Sequence, residues 1–129
     1  MPDANEIRPK SISALTLFVS AMPRSVAFYE ALGFDLFYGG SDTEFSSFRV
    51  GDSYLNLALA GSPRMGTLWG RAIIYVGDVD AMFERAQAAG IEPLFAPRDA
   101  SWGERYFHLR DPDGHELSFA HPLERNKSG

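Results

Sequence analysis

The chain contains no cysteine. That excludes disulfides and thiol chemistry, and it fits a reducing compartment. It also lacks any basic stripe or Lys/Arg cluster: 12 basic residues face 17 acidic ones, for a formal net charge of −5. Phosphate backbones need the opposite sign, so a nucleic-acid partner is not expected. Long apolar runs are missing as well. Met1 to Lys10 is polar and reads as a frayed arm, with neither a signal peptide nor a membrane span, and Glu124 to Gly129 reads as a polar tail. The expectation is a soluble cytoplasmic protein with no membrane partner. What the chain does have is apolar mass. Its 129 residues are 45% hydrophobic and 13% aromatic, enough for one domain, 1–129, with a proper core.

The sequence repeats itself. A shift of 57 positions lays Ala14 on Arg71, Phe18-Val19 on Tyr75-Val76, and Gly33-Phe34 on Gly90-Ile91. Each segment is a short apolar run, a turn, an amphipathic stretch, a Gly and a second apolar run. The repeat divides the chain into modules at about residues 12–59 and 70–121, with a site expected in the groove between them.

In the first module, residues 13–19 read as a strand, with Leu15, Leu17 and Val19 on one side and Ala14, Thr16 and Phe18 on the other. Pro23 suits a first helical turn, Val26, Phe28, Tyr29 and Leu32 recur at helical spacing, and Gly33 is a stop. Strands follow at residues 34–38, 45–50 and 54–59, the last two forming a hairpin around Gly51-Asp52. Residues 60–70, rich in Gly, Ser and Pro, read as a linker. The second module repeats the order: a strand at 72–76, a helix from Val79 capped by Asp78 and ended by Gly90, then strands at 91–95, 106–110 and 116–120. Asp111-Pro112-Asp113-Gly114 is a strong type I turn between the last two, and its carboxylates read as turn residues rather than as metal ligands. The expected fold is therefore α+β: two βαβββ modules forming a cup-shaped, half-open mixed sheet with the helices outside.

Three stretches resemble a known family: ALTLFVSAMPRSVAFYEALGF, its echo RAIIYVGDVDAMFERAQAAGI, and WGERYFHLRDPDGHELSFAHPL. Together they resemble the vicinal oxygen chelate superfamily, which includes glyoxalase I, bleomycin-resistance proteins, fosfomycin-resistance enzymes and extradiol dioxygenases. The likeness runs from about Ile12 to Leu123. It implies a homodimer whose modules pair to complete the cups. It also implies four inward metal-ligand positions, which fall here on Ala14, near Asn56, on Arg71 and on Ser118. None is a His or a carboxylate, and a divalent site needs about three or four such donors. By this resemblance the chain has lost the metal and needs no cofactor.

Strand alternation nominates a ligand-binding set. Phe18, Phe48, Tyr75 and Tyr106 read as inward aromatics, joined by Asn56 and by Trp102 and Trp69 beside glycines at the entry. His108, flanked by core-facing Phe107 and Leu109, either binds a ligand or acts as an acid or base near neutral pH, or else bonds a neighbouring strand. Glu116 either pairs with an inward Arg or serves as a base. Arg71 either recognises an anion or braces Glu116 or Glu104. His115 and His121 read as solvated.

The leading functional expectation is metal-free binding, or sequestration, of a small aromatic or drug-like molecule, as in antibiotic-resistance members of the family. Net charge would favour a cationic ligand. The alternative is a glyoxalase-like lyase, an isomerase or a dioxygenase using an atypical metal site built from His108, Glu116 and Asn56.

Overall fold

The structure is a computed structural model that describes residues 7, 9–60 and 71–123. Most of the N-terminal arm, most of the linker, Trp69 and the C-terminal tail named above lie outside the described residues. Strand β1 (Ala14–Val19) leads into helix α1 (Met22–Ala31), followed by β2 (Asp35–Tyr38), β3 (Phe45–Val50) and β4 (Ser53–Leu59). The second half gives β5 (Arg71–Tyr75), α2 (Val79–Ala88), β6 (Arg98–Asp99), β7 (Glu104–Arg110) and β8 (Glu116–Pro122).

These strands form two four-stranded mixed sheets, ordered β1-β4-β3-β2 and β5-β8-β7-β6, that do not close into a barrel. In each, the first strand runs parallel to the last, and the others pair antiparallel. The fold is the α+β arrangement expected from the repeat. Both helices keep the 57-residue offset end to end, and Gly33 and Gly90 follow them at φ 93° and 81°. The offset then drifts, to 59 residues between the starts of β3 (45) and β7 (104) and to 63 between those of β4 (53) and β8 (116), where a five-residue connection replaces Gly51-Asp52.

Period-two alternation decides what is buried. Leu17, Val19, Leu55, Leu57 and Phe48 of the first sheet join Phe107, Leu109, Leu117 and Phe119 of the second in one core cluster. The helices add Met22, Val26, Tyr29, Val79 and Ala86. Burying each large apolar side chain stabilises the fold by about 1.5–3 kcal/mol. The opposite sheet faces stay open: Phe18 is 57% and Tyr75 is 59% exposed.

Two expectations are corrected here. Phe48 does not face the concave side. It is fully buried, its ring 5.6 Å from that of Tyr29 on α1 and 6.0 Å from that of Phe34. Its register partner Leu55 points into the core, and a cross-strand partner shares its face. Residues 91–95 do not form a strand either. Pro93 and Pro97 lack the N–H groups a ladder requires, so regular pairing is delayed to Arg98–Asp99. One bond survives upstream, from the Leu94 amide to the His108 carbonyl at 2.8 Å.

Candidate functional site

On the second sheet, the residues that alternate with the core form one continuous face. Arg71, Ile73 and Tyr75 on β5 lie beside Glu116, Ser118 and Ala120 on β8, and these lie beside Arg110, His108 and Tyr106 on β7. The alternation thus brings Arg71, Tyr75, Tyr106, His108 and Glu116 together as the sequence predicts.

At one end of this face Arg71 Nε donates to Glu116 Oε2 at 2.5 Å. The Glu116 side chain is nearly buried at 6% exposure, whereas that of Arg71 is 42% exposed, so one edge of the guanidinium remains in solvent. His108 Nδ1 lies 3.7 Å from the same carboxylate oxygen. Burial first, then the guanidinium of Arg71, holds the imidazole below its ordinary value, against the opposing pull of Glu116 and with a further push from Arg98. A neutral histidine is therefore the favoured state near pH 7. Of the alternatives for Arg71 and Glu116, the ion pair is the one observed.

At the other end stands an aromatic wall. The rings of Tyr106 and His108 are 5.2 Å apart, Phe95 packs on both at 5.5 and 5.0 Å, and Trp102 lies 5.4 Å from Tyr106. Glu104 ties the wall to β5: it accepts from Trp102 Nε1 at 3.0 Å and from the Tyr75 hydroxyl. That bond raises the Tyr75 phenol above its ordinary range. The Arg98 guanidinium stacks 3.8 Å over the Phe95 ring centroid, and its Nε donates to the Tyr106 hydroxyl at 3.2 Å.

Phe95, Arg98 and Glu104 complete this face and were not singled out as ligand-binding residues in the sequence. The signal for Arg98 is its register with Tyr106, which two residues of strand are too short to reveal.

Phe18 and Asn56 lie on the other sheet. Asn56 Nδ2 donates to Thr16 Oγ1 at 3.2 Å across the β1–β4 pair. Farther along that face Arg49 sits 5.4 Å over the Phe37 ring and 5.2 Å over that of Tyr54. Between the sheets runs a cleft of about 420 Å³, lined by Ala14, Leu15, Val50, Tyr54, Arg71 and Ile73 among others. This seam is where the groove between the modules was expected, but of the second sheet's nominated residues only Arg71 lines it, and the aromatic wall stands apart on the open face.

The donor set does not fit a divalent metal at the positions the resemblance marks. Ala14 has no donor atom, and Arg71 brings a cation to the seam that both residues line. Ser118 sits between Ile73 and His108, and Asn56 is bonded to Thr16. Among the described residues, no three His, Asp or Glu side chains converge.

Neither remaining histidine is simply solvated. His121 Nδ1 accepts from the Val79 amide at 3.2 Å, at the start of α2, and the Phe18 carbonyl accepts from His115 Nε2 at 2.7 Å. Both bonds run between segments distant in sequence, which local reading does not reach.

The fold defines a class. The family profile of the Glyoxalase/Bleomycin resistance protein/Dioxygenase superfamily matches residues 11–119, and the chain belongs to that superfamily. Among solved structures, a glyoxalase/bleomycin resistance protein/dioxygenase from Nocardioides is 26% identical, with a TM-score of 0.68 over 95% of this chain and 90% of that one. A bleomycin-binding protein complexed with bleomycin is 22% identical, with a TM-score of 0.72 over 91% of this chain and 100% of that one, a likeness of fold. An uncharacterized protein of Mycobacterium bovis is 46% identical over 48 residues, which are 37% of this chain and only 32% of that relative's length. No described helix is long and apolar enough to cross a membrane.

Proposed function

We propose that the protein binds a small aromatic or drug-like molecule without a metal, on the concave face of its second sheet, and acts by sequestering it. The observation that carries this reading is the Phe95–Tyr106–His108–Trp102 wall standing beside the Arg71–Glu116 pair. Ring faces supply area and stacking, about 0.5–1.5 kcal/mol per aromatic pair beyond burial, and the charged pair orients polar ends. Ala14, Arg71 and Ser118 at the marked positions favour binding over metal chemistry, and the bleomycin-bound structural neighbour supports it by analogy of fold.

The functional unit in this reading is a homodimer. Open faces carrying Phe18, Ile73 and Tyr75 at more than half exposure are costly in a monomer, and pairing two copies would draw these faces into enclosed cups with the ligand inside.

The test is titration with planar aromatic compounds, followed by tryptophan quenching and by calorimetry in parallel. Saturable binding that Tyr106→Ala weakens by about 1–3 kcal/mol is the expected result. Binding that Tyr106→Ala leaves unchanged would remove the wall from the site.

A further inference from the structure

The charges on the second sheet's open face do not follow the charge of the chain. Three guanidiniums lie there: Arg71, Arg98 and Arg110. Two carboxylates share the face, and both are engaged. Glu116 holds Arg71. Glu104 uses one oxygen on Trp102 and the other on Tyr75. Arg98 and Arg110 have no carboxylate within ion-pair distance among the described residues.

Arg98 is also held in a defined pose. Its plane rests on Phe95, its Nε is fixed by the Tyr106 hydroxyl, and its terminal amino groups make no hydrogen bond among the described residues. A guanidinium pinned on a ring with its fork free is pre-organised for a planar oxyanion, because less side-chain entropy is lost on binding. Burial is the main cause of the depressed basicity of His108, and Arg71 and Arg98 add to it against the pull of Glu116.

Resting on the binding reading above, we infer that the ligand of this face is an aromatic anion. Its ring packs on the Tyr106–Trp102 wall, and its carboxylate or comparable oxyanion is held by the free fork of Arg98. A cationic ligand fits poorly. The ring face nearest the wall already carries Arg98, and a cation would have to displace a partner of Glu104 or Glu116. The formal charge of −5 belongs to the whole chain and misleads about this face.

Three probes of one shape test this: 2-naphthoate, 2-naphthylmethylamine and 2-naphthalenemethanol, titrated by calorimetry at low ionic strength with His108 neutral. The carboxylate should bind roughly tenfold or more tighter than the ammonium, the scale of one charge-assisted hydrogen bond. Arg98→Gln should abolish that preference and leave the alcohol's affinity nearly unchanged. Arg98→Lys should keep part of the preference, and equal melting temperatures would verify that both variants fold. If the ammonium binds as tightly as the carboxylate, or if the preference survives Arg98→Gln, the inference falls while aromatic binding stands. If none of the three binds, both fall.

Discussion

Asp113, in the connection before β8, sits at the amino end of α1 and accepts from the Ser20 amide at 3.0 Å and from the Ser20 hydroxyl at 2.6 Å. Its second oxygen accepts from the Ser25 hydroxyl at 3.2 Å, and Arg24 lies 3.2 Å from the first. The repeat explains the need. At equivalent positions, α2 is capped by its own Asp78, which accepts from the Ala81 amide, whereas α1 has Ala21 at its N-cap and no side-chain cap. A carboxylate borrowed from the other half supplies the negative charge that the end of the helix dipole favours.

Asp113→Ala should therefore destabilise the protein by about 2–4 kcal/mol, because the buried Ser25 hydroxyl, Ser20 and the helix end lose a charged partner together. Asp78→Ala removes one exposed cap and should cost about 1 kcal/mol. Urea unfolding of the two variants measures both. Equal costs would mean that the contact between halves contributes nothing beyond an ordinary cap.

The same turn carries Gly114 at φ 87°. Gly114→Val forces a β-branched residue into the left-handed region and should cost about 1–3 kcal/mol. Gly114→Asn should cost less, since asparagine tolerates that region. Thermal unfolding that ranks the two the other way would contradict this account of the turn.

Stability should fall on mild acidification, and His108 is one cause. Its folded-state basicity lies below the ordinary 6.5. As pH drops through that value the unfolded chain takes up a proton that the folded chain refuses, so unfolding is favoured until the folded-state value is also passed. His108→Gln should flatten this slope as pH falls below about 7. Asp111 works in the opposite sense at lower pH. Burial raises its carboxyl above the ordinary range although the Tyr29 hydroxyl donates to it at 2.8 Å, so its protonation stabilises the folded state. Denaturant melts across pH separate the two windows. An unchanged slope in His108→Gln would assign the acid sensitivity elsewhere.

Local pattern carried the fold a long way and the site only in part. Helix ends, hairpin and repeat are written in residues close in sequence, such as Pro23, Gly33, Asp78 and Gly90. Alternation placed Arg71, Tyr75, Tyr106, His108 and Glu116 on one face correctly. It failed at Phe48, where an aromatic was given the wrong face of its strand, and at residues 91–103, where two prolines break the period that alternation needs. Arg98 and Phe95 come from that stretch. The carboxylates of the Asp111–Gly114 turn look like ordinary turn residues until the fold lays them against α1. Nothing within a few residues of Asp113 reveals Ser20 or Ser25, 93 and 88 positions away.

Light scattering at micromolar concentration should give a mass near twice that of the 14.3 kDa chain. Phe18→Glu and Tyr75→Glu, placed on the open faces, should shift the mass toward the monomer by burying a charge against apolar surface. A monomeric mass for the unmodified protein would contradict the homodimer reading.

The Arg71–Glu116 pair separates bracing from binding. Glu116 is nearly buried and Arg71 is half exposed, so the two substitutions are not symmetric. Arg71→Ala leaves a buried carboxylate without its ion-pair partner beside neutral His108, and it should lower the melting temperature clearly. Glu116→Gln removes the buried charge, keeps most of the shape, and frees a guanidinium on the open face; it should cost less stability. If Arg71 also meets the ligand, then in the folded fraction Arg71→Ala should weaken an aromatic carboxylate by about 1.5–3 kcal/mol, and Glu116→Gln should strengthen it. The neutral alcohol of the same shape should respond to neither. If Arg71→Ala shifts melting but leaves carboxylate affinity intact, Arg71 serves only to neutralise Glu116, and the anion contact belongs to Arg98 alone. Parallel melting and calorimetric titrations on the two variants distinguish these outcomes. The double variant Arg71→Ala with Glu116→Gln adds the final check, since with both charges gone it should regain the stability that Arg71→Ala loses without regaining its affinity.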